Sequence, residues 1–162
     1  MNLRSIVKEI AIALVLLFVI TNLISYIRQP ELGSTKLPNI EAQLIDGSTF
    51  KHQEGKPMIL HFWATSCSAC KLEAPNIETV SKEYEVLTIA LNSGSDENIK
   101  TYLEENGLSF RVINDKEGEW GRVFKIGVYP TTFIYDAKGE LRFTEVGYTT
   151  TAGLLARLEW IE

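Results

Sequence analysis

Scarcity shapes this chain. It has two cysteines, two histidines and two methionines among 162 residues. A structural metal site usually needs four ligands, and with no third cysteine zinc would have to draw on His52 and His61. No Gly-rich phosphate-cradling loop is present, so the sequence calls for no nucleotide, and it calls for no metal or flavin cofactor either. Basic runs, internal repeats and low-complexity segments are also missing. Residues 1–30 hold three of the 16 Lys and Arg and one of the 21 Asp and Glu, leaving 13 against 20 for the other 132 residues. That acidic balance argues against nucleic acid as a partner, and the length suits one compact domain.

Long apolar runs are missing too, with one exception. Ile10 to Ile27 carries no charge over 18 residues, and Ile10 to Ile20 is unbrokenly apolar. At ~1.5 Å per residue such a helix just crosses a bilayer core of ~30 Å. A cleaved signal peptide would look similar up to Ile20. The apolar character continues through Leu23, Ile24 and Ile27, however, with no small-residue cleavage site and no lipobox cysteine after it, which favours an uncleaved anchor. The expected organisation is a cytoplasmic N-terminus at 1–9, a transmembrane anchor at 10–27, a tether at 28–37 and a folded domain at 38–162. Basic residues flank the span on both sides, so the positive-inside count favours a cytoplasmic N-terminus only weakly.

The two cysteines stand three positions apart, in Cys67-Ser68-Ala69-Cys70, just after the apolar run Met58 to Trp63. A strand ending near Trp63 and a helix opening at Cys67 would place one thiol in the helix's first turn, where unpaired backbone N–H groups favour a thiolate. Thiol–disulfide exchange is the reading this context favours. Copper(I) held by the two soft sulfurs alone and an inert structural disulfide remain alternatives.

The order of elements follows from the punctuation. Asp46-Gly47 marks a hairpin turn, and Met58 to Trp63 reads as a central strand covered on both faces. A helix then carries Ala69, Leu72, Ile77, Val80 and Tyr84 roughly on one face, with Pro75 expected to kink it. Val86 to Leu91 is the next strand, followed by a helix capped at Ser95 and stopped at Gly107. A short strand at Phe110–Ile113 and a short helix at Glu119–Lys125 follow. A hairpin from Thr131 to Val146 and a helix with Leu154, Leu155, Leu158 and Ile161 inward close the chain. The expected class is α/β: a mixed central sheet with helices on both faces, preceded by one transmembrane helix.

With Phe62-Trp63-Ala64-Thr65-x-Cys67-x-x-Cys70 after the central strand and Val128-Tyr129-Pro130-Thr131 before the hairpin, this pattern resembles the thioredoxin fold. The C-x-x-C-x-x-E-x-P spacing from Cys67 to Pro75 resembles the membrane-anchored TlpA/ResA-like reductases. Val146-Gly147-Tyr148-Thr149-Thr150 and its surroundings look closest to the suppressor-of-copper-sensitivity D branch of protein disulfide oxidoreductases. The resemblance implies that Cys67 is the exposed nucleophile and Cys70 the buried resolving thiol, with Pro130 a cis-proline beside them. It also implies that Tyr129 offers its backbone to an extended substrate strand. Trp63 and Ser66 are further candidates for substrate contact, and Trp63 also reads as a side chain packed under the active-site loop. The chain departs from its relatives at Ser66, where tryptophan is common, and at Thr131-Thr132, where haem-handling relatives often carry an acid.

His61 and Glu73 each carry two readings. His61 stands where cytoplasmic thioredoxins place a buried acid that deprotonates the resolving thiol, or it is a hydrogen-bonded strand residue. Glu73 tunes the thiols, or it merely suits the early turns of a helix. The resemblance places the protein in a bacterial inner membrane as a single-pass chain with its catalytic domain in the periplasm. There it would reduce protein disulfides with electrons from a membrane thiol donor. A disulfide-donating oxidant and a copper(I)-binding module are the rival functions.

Overall fold

The computed structural model describes residues 3–162, so Met1 and Asn2 of the expected 1–9 segment lie outside the described residues. Helix α1 covers Leu3–Ile27, and its Ile6–Ile27 stretch is long and apolar enough to cross a membrane. The helix therefore runs back through Lys8 and Glu9, good helix formers that do not interrupt it.

Beyond a turn at Arg28 the chain is extended, but it is not a free tether. The Leu141 N–H donates to the Thr35 carbonyl (2.7 Å), and the Leu37 N–H donates to the Gly139 carbonyl (2.8 Å). Lys36 bridges Glu140 through backbone and side chain, the ion pair at 2.9 Å. The segment covers a strand edge that would otherwise stand open.

A small hairpin follows, β1 (Glu41–Gln43) and β2 (Thr49–Lys51), turned at Asp46-Gly47 with Gly47 at φ +89°. The main sheet has five strands: β3 (Met58–Trp63), β4 (Glu85–Leu91), β5 (Arg111–Asp115), β6 (Thr131–Tyr135) and β7 (Leu141–Val146). Their spatial order is β5-β4-β3-β6-β7. β3, β4 and β5 run parallel, whereas β6 and β7 are antiparallel. Helices α2 (Ser68–Ser81) and α3 (Asp96–Glu105) make the two parallel crossovers. Both connections step the same way along the sheet, and their fixed hand puts both helices on one face.

That face is completed by α5 (Thr151–Ile161), capped by the Thr150 hydroxyl, and its core joins Ile59, Trp63, Ile77, Val80, Ile99, Leu154 and Leu158. The opposite face is closed by the β1–β2 hairpin and the short helix α4 (Glu119–Val123) over Leu60, Phe62, Phe124 and Phe133. β3 is buried along its whole length, as its double-sided apolar pattern predicts. The Ser95 cap forms a reciprocal box with Asn98, and Gly107 takes φ +63° just past α3.

α2 corrects one expectation. Leu72, expected inward, is 72 % exposed, whereas Glu73 is fully buried. The buried positions are Cys70, Glu73, Ala74, Ile77, Glu78 and Val80. That is a regular helical stripe in which two glutamates disguise the inward face. Pro75 lies mid-helix without ending it.

Candidate active site at the head of α2

Cys67 is the N-cap of α2, and its backbone is extended while the helix begins at Ser68. Its Sγ accepts a hydrogen bond from the Cys70 N–H at 3.1 Å. A sulfur so placed faces backbone donors that the helix cannot satisfy internally, the environment that favours a thiolate. Cys67 is half-buried, Cys70 is only 2 % exposed, and the two are joined as a disulfide with Cα atoms 5.2 Å apart.

The surrounding rim comes from three loops at the same end of the sheet. The Thr65 N–H donates to Ser93 Oγ at 3.0 Å, which fixes the approach to Cys67 against the loop after β4. Asn92, held at φ +49°, donates its side-chain amide to the Tyr129 hydroxyl at 3.2 Å. The Tyr129–Pro130 peptide is cis, and the Gly147 N–H donates to the Pro130 carbonyl at 2.9 Å. Register places this turn beside the dithiol, because Thr131 pairs with Phe62 on one side and Val146 on the other. Ser66 is exposed and Tyr129 half-buried, so both reach solvent near the sulfurs.

Trp63 does not. It is 2 % exposed, its Nε1 donates to Thr88 Oγ1 at 3.1 Å, and its ring packs on Tyr102 and Phe110. A protein substrate has no route to it, so its expected part in substrate contact is corrected to support beneath the site.

Two buried ionisable groups lie behind the rim. Glu73 follows Cys70 by one helical turn on the same face, and Oε1 accepts the Thr149 N–H at 3.1 Å while Oε2 has no hydrogen-bond partner among the described residues. Burial pushes its carboxyl up to about 8, with the Thr149 N–H opposing and the Glu145 charge adding to the rise. His61 sits on β3 with Nδ1 2.9 Å from Thr132 Oγ1, and burial drives its imidazole down to about 3. At neutral pH His61 is uncharged. Thr149 and Thr132 were not legible as partners of these groups, because each contact spans more than 70 residues of chain.

A cavity of about 810 Å³ lies at the far end of the sheet, between Leu37, His52 and Lys138, away from the sulfurs. The dithiol stands on an open rim, which suits a macromolecular substrate better than a small enclosed one. Among the described residues no group of three or more His, Cys, Asp or Glu side chains gathers to hold a metal.

Residues 34–144 match the model of the AhpC/TSA family. The chain belongs to this thioredoxin-like family. A thioredoxin-like protein of Haemophilus influenzae is 32 % identical over the whole of this chain and 98 % of its own length. The sporulation thiol-disulfide oxidoreductase A of Bacillus subtilis is 31 % identical over 67 % of this chain and 68 % of its own. Among solved structures, a thiol:disulfide interchange protein of the thioredoxin family from Chlorobium tepidum aligns with a TM-score of 0.71 at 26 % identity. It covers 81 % of this chain and 98 % of that one. StoA of Bacillus subtilis aligns at 0.64 and 27 % identity, covering 77 % and 100 %. With the Cys67–Cys70 pair in place on this thioredoxin-like fold, the chain's activity class is thiol–disulfide oxidoreduction, and its apolar N-terminal helix fits single-pass membrane anchoring.

Proposed function

We propose that this chain is a membrane-tethered, extracytoplasmic enzyme that reduces disulfides of periplasmic proteins. The observation that carries the reading is the asymmetry of the two sulfurs, Cys67 half-buried at a helix N-cap and Cys70 sealed behind it. Cys67 thiolate attacks one sulfur of a substrate disulfide, forming a mixed disulfide and releasing the other substrate sulfur as a thiolate. Cys70, on losing its proton, attacks Cys67 Sγ. The second substrate thiolate leaves, and Cys67–Cys70 is oxidised.

Pro130 and the Tyr129 backbone position an extended substrate segment beside Cys67, with Ser66 at the edge of that contact. Glu73 is the group placed to take and return the Cys70 proton: it lies one helical turn away, and with its carboxyl pushed up to about 8 the minor ionised fraction at neutral pH is the form that accepts. His61 is left outside that path, since a group driven down to about 3 takes protons poorly at neutral pH, and Thr132 accounts for its bonding. The folded domain begins at residue 38 and faces the periplasm. A dithiol outside the cytosol stays reduced only if electrons cross the membrane, so a membrane thiol donor is implied.

Cys70→Ser should accumulate Cys67 mixed disulfides isolable under non-reducing conditions, and Cys67→Ser should not. Identical profiles from the two variants would refute the division of labour. Titration against glutathione sets the direction: a potential near about −270 mV supports a reductant, and one near about −120 mV an oxidant. Tight anaerobic copper(I) binding without exchange activity would replace both with the metal-binding reading that the suppressor-of-copper-sensitivity D resemblance raises.

A further inference from the structure

The anchor and the catalytic rim are physically joined. The Val146 N–H donates to Ser25 Oγ at 3.0 Å, and Gln29 Nε2 donates to the Thr144 carbonyl at 2.7 Å. With the Thr35, Lys36 and Leu37 contacts already described, residues 25–37 lie antiparallel along β7, from Val146 back to Gly139. The domain is clamped at its edge rather than swinging on a leash.

That direction decides which end meets the membrane. Upstream of Ser25, Phe18, Thr21 and Asn22 of α1 face Gly147, Tyr148, Thr149 and Gly153, the residues just beyond Val146, so the helix leaves β7 at the end opposite Gly139. That end is the one carrying Gly147, Pro130 and the dithiol, because Val146 pairs with Thr131 and Thr131 with Phe62. Adjacent strands lie about 4.8 Å apart, so the end of β3 that leads to Cys67 is only about 10 Å across the sheet from β7.

Depth follows from the helix itself. Phe18, Thr21 and Ser25 share a cavity of about 620 Å³ with Tyr148, Thr149 and Arg157, so the β7–α5 loop lies alongside the upper turns of α1. The 22 residues from Ile6 to Ile27 extend about 33 Å, hardly more than a bilayer core of about 30 Å, which leaves no apolar length to lift that loop clear of the surface. The Arg157–Glu145 ion pair (2.7 Å) lining the same cavity holds it at the headgroup layer rather than in the hydrocarbon. The side chains there suit such a place. Tyr148 is 53 % and Leu72 72 % exposed, and Asn76, one turn beyond Leu72, donates its amide to the Tyr148 hydroxyl at 3.1 Å. An aromatic ring with a bonded polar tip is the usual occupant of the headgroup layer.

We infer that the Gly147–Thr150 loop and the Leu72 turn of α2 rest on the outer surface of the lipid bilayer, with the dithiol rim facing it. The inference relies on α1 being a membrane span, as the proposed function has it. It adds that Cys67 is presented to cysteines carried at the bilayer surface.

The test uses the full chain in nanodiscs whose lipids are brominated near the glycerol end of the acyl chains. Two exposed positions are compared, Tyr148→Trp and Lys138→Trp, each read as the tryptophan emission added to that of the parent chain. Shallow bromines should remove about half of the emission added at position 148 and leave that at position 138 unchanged, as expected for a side chain inserted several ångströms into the interface. Equal quenching at both positions, or none at 148, overturns the inference. Exchange activity, assayed on the parent chain, separates the two claims. Quenching at 148 in a chain without exchange activity upholds the orientation and sinks the function, whereas exchange activity without quenching at 148 does the reverse.

Discussion

Glu73 and Glu78 lie on the same helix, five residues apart, both turned into the same core, yet they hold opposite charge states at neutral pH. Burial pushes each carboxyl up. For Glu78 that push is outweighed, because Oε1 accepts the Ser109 hydroxyl at 2.6 Å and Oε2 accepts the Ser109 and Phe110 N–H groups at 2.7 and 3.1 Å. Lys82, one turn on, adds a little attraction, and the carboxyl ends below its ordinary value. Among the described residues Glu73 has one N–H donor and no ion-pair partner, so burial wins and pushes its carboxyl up to about 8. Burial alone does not set the charge of a carboxylate. The number of donors aimed at it does. One glutamate ties the end of α2 to the start of β5, and the other holds a proton in the core one helical turn from Cys70.

The comparison breaks most visibly at Glu78. Glu78→Ala strands the Ser109 and Phe110 N–H groups, and should cost about 3 kcal/mol, read as a lower urea midpoint at constant slope. Glu73→Gln should change stability at pH 7 by no more than about 1 kcal/mol, since a neutral amide replaces a carboxyl that is already mostly protonated. Its effect lies in the pH profile. Because the folded-state value of Glu73 stands above the ordinary 4.5, the stability it contributes is present below 4.5 and is lost as pH rises through about 8. The variant should lack that decline. The pH at which reduced Cys70 becomes competent to release a mixed disulfide should shift as well, measurable from single-turnover release rates.

His61 supplies the opposite slope. Its folded-state value lies below the ordinary 6.5, so its contribution is present above 6.5 and is lost as pH falls through about 3. His61→Gln should flatten the acid limb of a thermal-stability profile and leave the limb above pH 7 unchanged. The smallest effect belongs to Lys82→Ala. Its exposed 3.9 Å pairing with Glu78 should contribute less than about 0.5 kcal/mol, detectable only as a slight midpoint shift that added salt removes.

Much of the architecture was legible because it is written in local chemistry. β3 announces itself by six apolar or aromatic positions filling both faces, and α3 by Ser95 at one end and Gly107 at the other. The Cys67-to-Cys70 spacing placed the dithiol on a helix start, where the structure has it. The inward face of α2 was misread for an equally local reason. Leu72 counted toward the expected inward face and Glu73 and Glu78 did not, because the glutamates' buried partners Thr149 and Ser109 come from segments 76 and 31 residues away. Trp63 was legible as a large side chain at or under the site, but the residues that close it off, Thr88, Tyr102 and Phe110, were not.

Residue order alone settled the elements, the apolar helix and the sulfur pair at a helix entrance, since each depends on side chains within a few positions of one another. Which glutamate carries a charge, how β7 is edged by residues 25–37, and which end of the sheet lies nearest the anchor were decided only by folding. Those properties belong to donors, strand edges and loops that the chain brings together from far apart, and no window of neighbouring residues contains them.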